Sequence, residues 1–167
     1  MIRKEIISAL TLCALFTGCT QVNEPITPTK VVEVEEQQDT IIASDSLNMN
    51  DELMSFYNEW KGTRYSTTGN SKKGISPGNY VQRLFKEKFE LDISNNPWKQ
   101  LKFGDKVKKS DLQIGDLVFF KKSRNRMHVG IYMNNGDFMH SSVKGVKFTK
   151  LNKAYYKNTY YTARRVF

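Results

Sequence analysis

The chain has 167 residues, a net charge of +9 and two cysteines, Cys13 and Cys19. Because both cysteines lie within the first twenty residues, the rest of the chain holds no disulfide, no thiolate metal site and no free thiol. A domain beyond residue 19 must therefore do any chemistry without sulfur nucleophiles.

The first eighteen residues have the layout of a secretory signal peptide. Arg3 and Lys4 give a positive start, and the apolar stretch from Ile6 to Phe16 is too short for a permanent membrane span. The stretch ends at Gly18-Cys19, and small residues before a cysteine are typical of a lipoprotein processing site. We therefore predict cleavage before Cys19 and acylation of its sulfur, with several acyl chains giving stable attachment. The alternative is an ordinary signal peptide with an incidental cysteine.

Residues 19–48 are predicted to be an acidic, disordered tether. They lack an apolar period and contain Pro25, Pro28 and the acidic run Glu33–Glu36. Low hydrophobicity with like charges favours disorder. Thr20 follows the cysteine where Asp is the usual signal for inner-membrane retention. In a Gram-negative source we therefore expect an outer-membrane anchor that faces the periplasm.

The charge changes sign where the tether ends. Eight acidic residues and one Lys lie between Cys19 and Glu52, whereas the chain from Leu53 onward carries 23 Lys plus Arg against eight Asp plus Glu. Residues 49–167 suit one compact domain, and the charge of +15 carried by the chain from Leu53 onward favours an anionic partner. The alternative is a basic surface that only aids solubility. Composition also permits nucleic-acid binding, but export argues against it, so no nucleic acid is expected.

Two helices open the domain. The first is predicted after Asn50. The second has a clear start, since Ser76 is a good N-cap and Pro77 fits the first turn, where its missing N–H costs nothing. The apolar residues recur at helical spacing: Leu53, Phe56, Tyr57 and Trp60 in the first helix, and Tyr80, Val81, Leu84 and Phe85 in the second.

Strands follow after Gly104, where the apolar period changes to two. A strand is predicted at 116–121, a basic connection at 122–127, and a second strand at 128–133. Residues 134–137 read Asn-Asn-Gly-Asp and predict a hairpin turn, because Asn and Gly tolerate positive φ. Segments 138–142, 146–149 and 160–167 complete an antiparallel meander. Helices followed by antiparallel strands indicate the α+β class.

Both histidines of the chain lie in this strand region. Alternation and the short turn bring His128 and His140 to one face of two neighbouring strands, where the imidazoles can meet. The alternative is that each is a buried, hydrogen-bonded polar residue. A metal site needs a third ligand, and Asp137 points to the other face, so we expect neither a metal nor a cofactor.

Seven short motifs then recur in a familiar order and spacing: Trp60–Tyr65, Gly74-Ile75, Tyr80–Arg83, Gly115–Phe119, His128–Tyr132, Phe138–Ser141 and Ala163–Val166. Together they resemble the NlpC family of cell-wall (peptidoglycan) cysteine endopeptidases, and within it the small Gram-negative lipoproteins. The resemblance covers residues 56–167. It implies a papain-like α+β fold, with N-terminal helices packed on an antiparallel sheet, and cleavage of peptidoglycan stem peptides.

The resemblance also implies roles for single residues. The family nucleophile is a Cys in an Asp-Cys-Ser-Gly-Phe segment at a helix N-terminus, where the dipole and free N–H groups favour the thiolate. A histidine takes the thiol proton, and a further polar residue orients the imidazole. By motif match, His128 would be the base, His140 the orienting residue, and Tyr65 a residue beside the active site.

This chain departs from the family at the nucleophile. It reads Ser-Pro-Gly-Asn-Tyr at 76–80, so Pro77 takes the place of the Cys, and Ile93–Trp98 replaces the family's Leu-Pro-Arg-Ser/Thr stretch. We therefore expect a catalytically inactive member that binds peptidoglycan stem peptides or an envelope protein. The alternative is an active hydrolase with a serine nucleophile, Ser76 or Ser141. Ser76 is better explained as the N-cap, and Ser141 alternates to the other face of its strand.

Overall fold

The computed structural model describes residues 48–167. The predicted signal peptide, Cys19 and nearly all of the predicted tether lie outside these residues. Within the described part of the chain, no helix is long and apolar enough to cross a membrane.

Residues 48–167 contain four α-helices, α1 at 48–60, α2 at Pro77–Phe89, α3 at Pro97–Gln100 and α4 at Ala154–Thr159, and a 3-10 turn at Lys109–Asp111. Helix α2 begins as predicted: Ser76 is extended (φ −84°, ψ 158°), its Oγ accepts the N–H of Asn79, and Pro77 occupies the first turn. The helix ends at Glu90, which adopts a left-handed conformation (φ 53°) and donates its N–H to the carbonyl of Phe85. The local signals thus set both ends of α2.

The main sheet has six antiparallel strands in the order β3-β8-β4-β5-β6-β7. Their bounds are Asp105–Val107 (β3), Leu117–Ser123 (β4), Arg126–Tyr132 (β5), Asp137–Ser142 (β6), Gly145–Lys150 (β7) and Tyr160–Arg165 (β8). A separate two-stranded hairpin, β1 (Asn70–Ser71) and β2 (Gly74–Ile75), precedes α2. The turn between β5 and β6 has positive φ at Asn135 and Gly136, as predicted.

Two sequence predictions about the sheet need correction. The meander covers only β4 to β7. After β7 the chain passes through α4, and β8 then lies between β3 and β4 and pairs with both. The predicted basic connection at 122–127 is mostly strand: β4 runs to Ser123 and β5 starts at Arg126. Lys and Arg are compatible with a strand here because this end of the hairpin is solvent-exposed.

The sheet is buried on both faces. On one face α1 and α2 cover the larger core, which includes Leu117, Phe119, Val129, Ile131 and Met139. On the other face, Val118, Phe120, Phe138, Leu151 and Ala163 pack with Tyr156 of α4 and Tyr160. Strand β4 therefore contributes to both cores, which explains its uninterrupted apolar run. His128 and His140 lie on the α4 side, against Phe120, Phe138 and Tyr156.

Candidate active-site cleft

A cleft of about 450 Å³ lies at the N-terminus of α2. One wall is the start of α2, another is the segment 95–98, and a third is the end of the β4–β5 hairpin. Three residues singled out from the sequence, Tyr65, Pro77 and His128, all line it. The fourth, His140, contacts His128 but does not line the cleft.

The start of α2 is fixed to the segment that precedes it. The side-chain nitrogen of Asn79 donates to the carbonyls of Thr68 and Gly69 at 3.3 and 2.8 Å. The N–H of Ser76 also bonds the Gly69 carbonyl at 2.9 Å. These contacts hold the first turn of the helix, and with it Pro77, in place at the edge of the cleft.

The Ile93–Trp98 segment packs directly on the first turn of α2. At Gly78 a Cβ would lie 1.9 Å from the carbonyl oxygen of Asn95, so only glycine fits. The buried amide of Gln100 donates to the carbonyls of Gly78 and Ser94 at 3.0 and 2.6 Å. The two segments for which the sequence analysis predicts a departure from the family pattern are therefore in direct contact. Sequence reasoning found both departures but not their contact, which joins residues far apart in the chain.

The two histidines form a buried pair. Nε2 of His128 lies 2.7 Å from Nδ1 of His140, and Nε2 of His140 lies 2.9 Å from Oγ1 of Thr149. Gly130 makes room for the pair, since a Cβ there would lie 2.6 Å from the Phe138 ring and 3.1 Å from Cβ of His140. Thr149 was not predicted as a site residue; the signal in the sequence is a polar residue at a buried strand position of β7.

Both imidazoles are held neutral. Burial is the main cause that lowers the pKa of His128, and His140 and Lys122 lower it further. Burial also lowers the pKa of His140 to about 3, with smaller contributions from Lys122, Lys147 and Lys153. In the neutral pair one nitrogen donates and the other accepts, and the Thr149 hydroxyl can do either. The arrangement can hold one imidazole in a fixed orientation at the edge of the cleft.

The two serines considered as nucleophiles lie in different places. Ser76 lines the cleft, but its Oγ accepts the N–H of Asn79 at 3.3 Å. Ser141 is buried and its hydroxyl donates to the carbonyl of Ile75 at 2.7 Å. Ser141 follows His140 on β6 and so points to the opposite face from the histidine pair. Only Ser76 shares the cleft with His128.

The cleft thus contains a positioned imidazole and a helix N-terminus but, at Pro77, a ring with no atom that can attack a carbonyl. Within residues 48–167 no group of three or more His, Cys, Asp or Glu is placed to hold a metal ion.

Comparisons with known proteins agree with this geometry. The model of the NlpC/P60 family matches residues 62–165. The murein DD-endopeptidase MepS/murein LD-carboxypeptidase of Escherichia coli K12 is 39% identical over 122 residues, which are 72% of this chain and 65% of that protein. The aligned part of the chain therefore spans slightly less than two thirds of that relative's length.

Two solved structures show the same fold. An NlpC/P60 family protein from Bacillus cereus is 28% identical, with a TM-score of 0.65 over 70% of this chain and 40% of that one. RipD of Mycobacterium tuberculosis, a non-catalytic NlpC/p60 domain protein adapted to a peptidoglycan-binding function, is 17% identical, with a TM-score of 0.59 over 71% of this chain and 98% of that one. Helices packed on an antiparallel six-stranded sheet give the papain-like α+β fold expected from the sequence, and the chain belongs to the NlpC/P60 family.

Proposed function

We propose that this protein is a lipid-anchored component of the cell envelope that binds peptidoglycan stem peptides in its cleft and does not cleave them. The observation that carries the proposal is Pro77, which lines the cleft together with His128 and falls, by motif match, where the family has its nucleophile. Covalent catalysis needs an atom at that position that can lose a proton and attack a carbonyl. The proline ring has none, although it starts the helix well.

The rest of the site supports binding. The cleft is open at about 450 Å³, and the imidazole at its edge is kept in place by His140 and Thr149. The solved structure of RipD, a non-catalytic protein of this fold adapted to peptidoglycan binding, is a precedent for such a role. The substrate class follows from the relatives, among them the murein endopeptidase of E. coli.

A serine hydrolase is the second candidate, because Ser76 also lines the cleft. Against it, the Ser76 Oγ is the N-cap of α2 and accepts the N–H of Asn79. Among the side-chain hydrogen bonds of residues 48–167, Ser76 Oγ makes none with His128. A serine nucleophile must give its proton to a base within hydrogen-bond reach.

The proposed attachment is through acylated Cys19, which would place the domain at the outer membrane facing the periplasm. A tether of about thirty residues then gives a reach of roughly 30 Å for a flexible chain. That length suits a protein that stays on the membrane while it contacts the wall. The second candidate partner is an envelope protein with an acidic face, which the basic domain would attract.

The test is an assay on purified sacculi with the full-length protein in detergent. We expect co-sedimentation with the sacculi and no release of muropeptides. Release that Ser76→Ala abolishes would favour the serine hydrolase and overturn the proposal. Absence of co-sedimentation even at low salt would exclude wall binding and leave an envelope protein as the partner.

A further inference from the structure

The cleft has a basic wall that the catalytic roles of the family do not use. It is formed by the end of the β4–β5 hairpin, where the pairing register shifts between Lys121 and Ser123. Lys122 is the extra residue of this bulge. Bulges turn a side chain away from its regular alternation, and here Lys122 lines the cleft together with Arg126.

Lys122 is held in this position by its surroundings. Its ammonium lies 5.7 Å from the centre of the Tyr155 ring, within the range of a cation–π contact. Burial and the nearby Arg126 lower the pKa of Lys122, so the two cations lie close enough to repel each other. Lys122 is partly buried and Arg126 is exposed; an anion that contacts both would offset the cost of burying the Lys122 charge near a second cation.

No anion of the described chain fills that role. None of the ion pairs among residues 48–167 involves Lys122 or Arg126. Of the described residues that line the cleft, none is Asp or Glu, and the others are polar or apolar without charge. The opposite wall is the N-terminus of the 13-residue helix α2, whose dipole also favours a negative group. Every charged element of the cleft therefore attracts an anion.

We propose that Lys122 and Arg126 form a carboxylate-binding site that holds the free C-terminal carboxylate of a peptidoglycan stem peptide. This inference rests on the proposed function and specifies which peptides the cleft selects. A stem peptide joined through its C-terminal residue to a neighbouring strand has an amide at that place and no carboxylate. The cleft would thus distinguish free peptide ends from cross-linked ones, through charge-assisted hydrogen bonds to the two cations.

The test compares two labelled stem tetrapeptides that differ only at the C-terminus, one a free acid and the other an amide. Binding to the full-length protein in detergent is measured by fluorescence anisotropy. We expect the acid to bind about tenfold more tightly than the amide, the size of effect for a hydrogen bond to a charged group. Lys122→Gln and Arg126→Gln should each weaken binding of the acid toward the level of the amide and leave the amide unchanged.

The matched control is Lys144→Gln, which removes the same charge from the exposed turn between β6 and β7, away from the cleft lining. This variant should bind both peptides as tightly as the wild type does. Equal binding of acid and amide by the wild type, or an equal loss with Lys144→Gln, would overturn the carboxylate site and leave peptidoglycan binding standing. If the cleft variants lose binding of the amide as well as of the acid, the two residues have a structural role, and this result would also overturn the carboxylate site. If neither peptide binds and sacculi do not sediment the protein, the proposed function itself fails.

Discussion

Nε2 of His128 lies 2.7 Å from Nδ1 of His140, in a buried contact that joins β5 to β6 at the edge of the cleft. In a hydrolase such a pair would orient the base for a nucleophile. Here Pro77 and His128 line the same cleft, and the contribution of the pair that can be measured without a substrate is to the stability of the fold. That contribution depends on both rings staying neutral.

The first prediction concerns pH. Burial lowers the pKa of His140 from 6.5 to about 3, so between these values the unfolded chain binds a proton that the native state does not. The stability from the neutral ring is complete above the unfolded pKa and is lost as the pH falls toward the folded one. We expect the free energy of unfolding to fall by up to about 1.4 kcal/mol per pH unit for this histidine. Urea unfolding of the wild type and of His140→Gln between about pH 7 and about pH 4 checks this. An equal slope in both proteins would contradict it.

The second prediction is that Pro77→Cys does not restore hydrolysis of sacculi. A cysteine there would sit at the N-terminus of α2, where its pKa is lowered and its thiolate reactive. We therefore expect the new thiol to react with iodoacetamide near neutral pH. We expect no release of muropeptides, because Asn95 packs directly on Gly78 beside position 77, in a segment for which the motif match predicts a departure from the family pattern. Release of muropeptides by this single variant would show that only the nucleophile had been lost.

A third prediction tests the packing on the first turn of α2. Gly→Ala within a helix ordinarily stabilises it, by about 0.5–1 kcal/mol. At Gly78 the new Cβ would instead lie 1.9 Å from the Asn95 carbonyl oxygen. We expect Gly78→Ala to lower the free energy of unfolding by about 1–3 kcal/mol, as overpacking does. Lys86→Ala, at an exposed position of the same helix, is the control. If Gly78→Ala has the same free energy of unfolding as the wild type, the close contact between Asn95 and this helix is contradicted.

The fourth prediction compares two arginines by urea unfolding. Arg165 makes two bonds, at 2.9 and 2.8 Å, to Asp116, a carboxylate only 1% exposed. Arg83 instead bonds Glu87 and Asn70 at the surface, where all three partners are accessible to water. Removing the partner of a buried carboxylate leaves an uncompensated charge, so Arg165→Met should cost about 3 kcal/mol. Arg83→Met should cost at most about 1 kcal/mol. Similar losses of unfolding free energy in the two variants would mean that the buried Asp116 carboxylate does not need Arg165 to compensate its charge.

The fifth prediction concerns the anchor, which lies outside the described residues. If Cys19 is acylated, the protein sediments with membranes and its N-terminal peptide carries the mass of the lipid. Cys19→Ser should move the protein to the soluble fraction, since the acyl chains supply the attachment. A Cys13→Ser variant is the control and should remain on the membrane. Membrane attachment that survives Cys19→Ser would rule out this anchor.

Local signals explain how much of the fold the sequence predicted. Helix α2 was predicted from Ser76, Pro77 and apolar spacing because capping and amphipathic periodicity act within a few residues. The contact of His128 with His140 followed from alternation across one short turn. The α+β class and the papain-like arrangement were correct for the same reasons, together with the family motifs.

The errors and omissions concern strand pairing and tertiary contacts, which the local sequence pattern does not identify. The place of β8 beside β4 depends on pairing across some forty residues and on burial of Ala163 against Val118, which periodicity does not encode. The bulge at Lys122 depends on the pairing register of β4 and β5. The hydrogen bond of Thr149 to His140 joins diagonal neighbours on β7 and β6. The close contact between Asn95 and Gly78 can be identified only from the tertiary structure, because the two residues belong to separate segments.

With a proline at position 77, the described lining of the cleft contains no thiol that an oxidant could modify. Periplasmic oxidation converts an exposed thiolate to sulfenic acid or a mixed disulfide, which stops a cysteine peptidase. Among the described cleft residues the only sulfur is the half-buried thioether of Met127. Its oxidation gives a sulfoxide that reductases can reverse, and it leaves the histidine pair and Lys122 unmodified. If the cleft binds peptides as proposed, we expect this binding to persist under oxidising conditions that inactivate a cysteine peptidase.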